Sequence, residues 1–75
     1  MKNAEQRQQL LKTLYHARET NPKRGWVSHR DLTDAVGECE FSLDVLTELT
    51  FIKKDGYKYR ITGQGVIQCE QTEQT

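Results

Sequence analysis

Leu10, Leu11, Leu14 and Tyr15, with Ala17 beside them, recur at helical spacing early in the chain, while Arg7, Lys12, Arg18 and the glutamines fall mostly on the watered side. Asn3 and Gln6, three positions apart at the front of this run, form a capping-box pattern. Asn21-Pro22 closes it, because the residue before a proline is driven out of the α region. The pattern predicts a first helix from Asn3 up to that pair, followed by a short basic loop, Lys23-Arg24-Gly25.

Trp26-Val27 predicts a brief extended segment leading into a second helix. Ser28 supplies the N-cap, Asp31 the third helical position, and Val27 with Leu32 a hydrophobic staple. Leu32, Ala35 and Val36 form the expected buried stripe, and Gly37 the stop. After a turn at Glu38-Cys39-Glu40, a third helix is predicted over about 41–49, with Phe41, Val45, Leu46 and Leu49 as its core face. Ser42 caps it if it begins one residue late. Two short helices joined by a turn containing Gly37 make a helix-turn-helix.

Alternation then replaces helical spacing. Asp55-Gly56 between two short runs of β-formers is the strongest short-range hairpin signal. A two-residue loop at that pair predicts Lys53 opposite Lys58, Ile52 opposite Tyr59 and Phe51 opposite Arg60. Ile52, Tyr57, Tyr59 and Ile61 then share one face, and Phe51, Lys53, Lys58 and Arg60 the other. Thr62 is placed to cap a short last helix ending near Cys69, with Ile61 and Val66 as its staple. Residues 70–75, Glu-Gln-Thr-Glu-Gln-Thr, have nothing to bury and are expected to form a frayed tail. The domain is accordingly expected over residues 1–69.

This order of elements resembles the winged helix-turn-helix superfamily over about residues 4–69. Its most specific pieces are Leu46-x-x-Leu49-x-Phe51-Ile52 and Tyr59-Arg60-Ile61-Thr62-x-x-Gly65. The resemblance implies a small α+β fold: three helices, a two-stranded wing hairpin and a short C-terminal helical turn. One departure stands out. Many members carry Gly where this chain has Thr50, and threonine adopts a left-handed conformation only at a cost, so the third helix is expected to end differently here.

Composition narrows the function classes. Seventy-five residues, 35% of them hydrophobic, make one small domain whose core needs nearly every large apolar side chain. Cys39 and Cys69 lie thirty positions apart, and His16 and His29 are scattered, so no zinc-site spacing is present. No apolar leader opens the chain, and no run approaches the roughly 18 apolar residues of a membrane span. A cytoplasmic protein with reduced thiols, without cofactor, metal or membrane association, is expected. No nucleophile–base grouping or positioned carboxylate pair suggests an enzyme. Gly63 and Gly65 lack the rest of any nucleotide-binding fingerprint. Trp26 and Tyr15 are expected as core or core-edge aromatics.

The net charge is zero but unevenly spread: +3 over residues 1–37, −4 over 38–50, +3 over 51–65 and −2 beyond. Lys53 and Lys58 directly opposite one another would repel. An anionic partner would relieve that, although lysines on a sheet edge also serve to prevent edge-to-edge sticking. By resemblance, the expected function is double-stranded DNA binding and transcription regulation. Lys53, Lys54, Lys58 and Arg60 of the wing would hold phosphate with Arg30 and Arg24, while Ser42 and Thr47 face the groove. The third helix fits that role poorly, because its outward positions are Glu38, Glu40, Asp44, Thr47 and Glu48, with no cation or amide. The alternative is a protein-interaction module in which Glu40, Asp44 and Glu48 meet a basic partner. A homodimer through Leu10, Leu14 or Val66/Ile67 is a further arrangement open to so small a domain.

Overall fold

The computed structural model describes residues 3–73. Four helices and three strands follow in the order α1 (Asn3–Thr20), β1 (Val27–Ser28), α2 (His29–Val36), α3 (Glu40–Glu48), β2 (Ile52–Asp55), β3 (Lys58–Ile61) and α4 (Gly63–Glu73). The sheet is antiparallel in the order β1-β3-β2, so the wing hairpin is joined by β1 along β3. This is an α+β winged helix-turn-helix architecture in which the brief extended segment expected at Trp26-Val27 is β1, paired with the hairpin, and the last helix is longer than the sequence pattern suggests. No helix among the described residues is long and apolar enough to cross a membrane.

The core is aliphatic. Leu10, Leu11 and Leu14 of α1 meet Leu32 of α2, Leu43 and Leu46 of α3, and Ile52, Tyr59 and Ile61 of the sheet, with Cys39 and Cys69 filling the remainder. Leu10 and Leu14 are fully buried, which removes them as dimer contacts. Both cysteines are free thiols. Burial, the largest influence, pushes the Cys39 thiol above its usual range; a hydrogen bond from Thr33 opposes this and the Glu38 charge adds to it.

Several local expectations hold in detail. The Asp31 N–H donates to Ser28 Oγ at 3.1 Å, and the Gly37 N–H to the Thr33 carbonyl at 2.7 Å with φ +85°. Thr62 caps α4 by accepting from the Gly65 N–H at 3.1 Å. Ala35 differs: it is exposed, and Leu32 carries the buried contact of α2.

Gln6 and α3 depart from expectation together. Gln6 does not close a capping box; it is buried, and its amide donates to the Val36 carbonyl (3.3 Å) and the Glu38 carbonyl (2.6 Å). Ser42 in turn donates to Gln6 Oε1 at 2.7 Å. This network ties α1 to the turn of the helix-turn-helix and satisfies polar groups that burial would otherwise penalise by about 1–3 kcal/mol each. With Ser42 drawn inward, the buried stripe of α3 becomes Cys39, Ser42, Leu43 and Leu46, at i, i+3, i+4 and i+7. Phe41 and Leu49, expected inside, turn out to solvent.

The end of α3 is also unexpected. Thr50 does take the left-handed conformation, φ +61°. The Phe51 N–H donates to the Leu46 carbonyl and the Thr50 N–H to the Thr47 carbonyl, both at 3.0 Å, which is the Schellman pattern. The Thr50 hydroxyl meets the side-chain carbonyl of Gln64, and its own carbonyl accepts from the Thr62 hydroxyl. Helix α4 continues past Cys69 to Glu73, so residues 70–73 are not a frayed tail; 74 and 75 lie outside the described residues. Tyr15 of α1 donates its hydroxyl to Glu70 at 2.8 Å and so fastens this extension.

Candidate functional site

Strand register decides which cations stand together. The hairpin turns at Gly56-Tyr57 rather than Asp55-Gly56, pairing Lys53 with Arg60, Lys54 with Tyr59, and Asp55 with Lys58. Gly56, at φ +64°, occupies the first loop position, where a positive φ matches strand twist. Lys53 is therefore not opposite Lys58. The face assignment survives, because the pairing shifts by a whole two-residue period. Lys53, Lys58 and Arg60 remain on the outer face, joined by Asp55, while Ile52, Tyr59 and Ile61 pack inward.

That outer face is built against the 21–26 segment. Arg60 is half-buried, and its Nη2 donates to the Pro22 carbonyl at 3.1 Å. Its Nε is buried with no hydrogen-bond partner. Arg18 reaches from α1 to donate to the Ile61 carbonyl at 3.1 Å. The Lys58 ammonium stands 6.0 Å from the rings of both Trp26 and Tyr57, a geometry at the outer limit of cation–π attraction. Arg24, Gly25, Trp26 and Lys58 line a hollow of about 330 Å³ with Ala17 and Asn21. Trp26 is thus a half-buried edge aromatic, as its sequence position suggests. Among the described residues no carboxylate oxygen lies within 4 Å of Lys53, Lys58, Arg60 or Arg24.

The other predicted cations do not join this face. Lys54 shares its side of the sheet with Tyr59 and looks toward α3. Arg30 is exposed in the first turn of α2, beside His29, whose N–H donates to the Tyr57 carbonyl at 2.7 Å. Arg30 therefore sits near the hairpin turn.

The groove-facing pair is corrected as well. Ser42 is fully buried and cannot meet a ligand. The Thr47 hydroxyl donates to the Leu43 carbonyl of its own helix at 2.7 Å, although the residue does line the cleft between α3 and the hairpin. That cleft encloses about 510 Å³, with Glu40, Phe41 and Asp44 on the α3 wall and Lys54 and Tyr57 on the hairpin wall. Glu48 is exposed farther along α3. Phe41 and Tyr57, 62% and 68% exposed, were not foreseen as surface residues of interest. The signal that would have found Phe41 is the competing stripe of Cys39, Ser42, Leu43 and Leu46, which has equally good helical spacing.

Among the described residues no group of three His, Cys, Asp or Glu side chains is placed to hold a metal ion. No protein-family model, curated protein or solved structure matches the chain.

Proposed function

We propose that this winged-helix-like domain binds double-stranded DNA through the phosphate backbone, using the outer face of its sheet in place of the third helix. Lys53, Lys58 and Arg24 are the principal contacts, and Arg60, locked to the Pro22 carbonyl, fixes the loop that carries Arg24. The observation that carries the reading is the cross-strand pairing of Lys53 with Arg60, flanked by Lys58 and Arg24, with no carboxylate within 4 Å of any of them among the described residues. Like charges paired across strands cost free energy in the unbound protein, and a phosphate chain offsets that cost. Buried Ser42 and the acids of α3 leave no donor for base edges, so the contact is with the backbone and tolerant of sequence. Transcriptional regulation would follow from occupancy or from a bound partner.

Fluorescence titration of duplexes of unrelated sequence tests this. Dissociation constants of about 10⁻⁴–10⁻⁶ M are expected, with affinity for every duplex falling as salt is added. A Lys53→Ala/Lys58→Ala/Arg24→Ala variant, which spares Arg60, should lower the log–log salt slope by about 2–3, near 0.9 for each phosphate no longer neutralised. An unchanged slope in a folded variant rejects the reading.

A further inference from the structure

We propose that the cleft between α3 and the hairpin docks a basic segment of a protein partner, with a Lys or Arg set against Glu40 and Asp44 and an apolar side chain held between Phe41 and Tyr57. The inference is independent of DNA binding, which uses the other face of the sheet. It starts from how the domain spends its few large apolar residues. Burying a phenylalanine stabilises a fold, and a small domain with an aliphatic core has reason to use it. Yet α3 is rotated so that Ser42 is wholly inside and Phe41 is 62% exposed, and the hairpin leaves Tyr57 68% exposed. Both aromatics line the same cleft, whose floor is made by buried Leu43 and Tyr59. At about 510 Å³ it falls within the range of ordinary ligand clefts, about 300–1,000 Å³. Large aromatics in a concave site are the usual energetic anchors of protein interfaces.

Charge selects the occupant. Glu40 and Asp44 stand four residues apart on the exposed face of α3, at the cleft margin. Residues 31–50, which include both, carry six carboxylates and no Lys or Arg. The opposite wall carries Lys54 and His29. A nucleic-acid strand would meet the carboxylates unfavourably, whereas a peptide with a base beside an apolar residue satisfies both walls, its backbone carbonyls falling to Lys54.

The test uses the whole chain, isotope-labelled, titrated with three twelve-residue peptides and followed by amide chemical shifts. The peptides are a Lys/Arg-rich one with central leucines, its Glu-substituted counterpart, and a Lys/Arg-rich one with serines for the leucines. The first is expected to bind saturably, with shifts concentrated at residues 40–47 and 54–59. The serine peptide should bind at least tenfold more weakly and the acidic peptide not at all. Phe41→Ser and Glu40→Lys/Asp44→Lys each change only exposed positions, and each should weaken binding tenfold or more while the melting temperature stays put. Failure of all three peptides to saturate overturns the proposal, as does a saturable shift on the outer face alone. Concentration-dependent broadening of the cleft resonances without peptide would assign the cleft to a second copy of the chain and likewise overturn it.

Discussion

Two residues at the junction of α3, the wing and α4 show how closely the backbone is constrained. Thr50 holds a left-handed conformation that costs an ordinary L-residue roughly 1–2 kcal/mol, and more for a β-branched one. Its contacts with Gln64 and Thr62 return part of that. Gly65 is opposite in kind. A Cβ there would lie 2.1 Å from the Phe51 carbonyl oxygen and 2.7 Å from Ile61 Cγ1, so α4 can start against Phe51 and the end of β3 only where a side chain is absent. Urea unfolding should therefore separate the two: Thr50→Gly raises stability by about 1 kcal/mol, and Gly65→Ala lowers it by about 2–3 kcal/mol. A change of the opposite sign in either variant would mean that the junction is not built as described. The need for Gly65 was legible as part of a family-like motif, whereas its physical reason, the approach of the Phe51 carbonyl, was not. Ser42 illustrates the limit further. A serine among apolar residues reads as a surface position until its partner Gln6, 36 residues away, is known.

Elements were legible to the extent that their signals are local. Ser28 and Thr62 through their hydroxyls, and Gly37 through its backbone N–H, mark three helix ends by bonds that span three or four residues. The far end of α4 was missed because Glu-Gln-Thr-Glu carries no apolar period, and its support comes from Tyr15 on another helix. That support is titratable. The hydrogen bond to Glu70 is the largest influence on Tyr15, with partial burial and the charges of Glu70, Glu19 and Cys69 adding to it, and together they push its pKa from 10.0 up to about 12. A pKa raised on folding means that the contribution is intact below pH 10 and is lost as pH climbs from 10 to about 12. Alkaline titration by tyrosinate absorbance should show one late step near 12, absent in Tyr15→Phe. Over that interval the wild-type protein should lose stability faster than the variant. A Tyr15 that titrates at its ordinary value would show that α1 and α4 are not coupled through Glu70.

At the scale of the molecule, zero net charge conceals two faces of opposite sign. The outer sheet face and the 23–30 segment are cationic, and α2–α3 from residue 31 onward is anionic. The local blocks were legible in the sequence, but their placement was not, because a one-residue displacement of the hairpin loop decides that Lys53 meets Arg60 and not Lys58. Placement bears directly on how DNA is held. The domain measures 28 × 26 × 21 Å, several times the roughly 8 Å over which charge is felt at physiological salt. If phosphate lies on the outer face, reversing Glu40 and Asp44 to lysine should change DNA affinity less than about twofold at 0.15 M salt. At about 0.01 M, where the screening length reaches roughly 30 Å and spans the whole domain, the same variant should bind several-fold more tightly. A docking pose with α3 in the groove would put the new lysines beside phosphate, and affinity would then rise by tenfold or more at either salt concentration. The two poses are separated by the salt dependence of a single double variant, whether or not the cleft has its own partner.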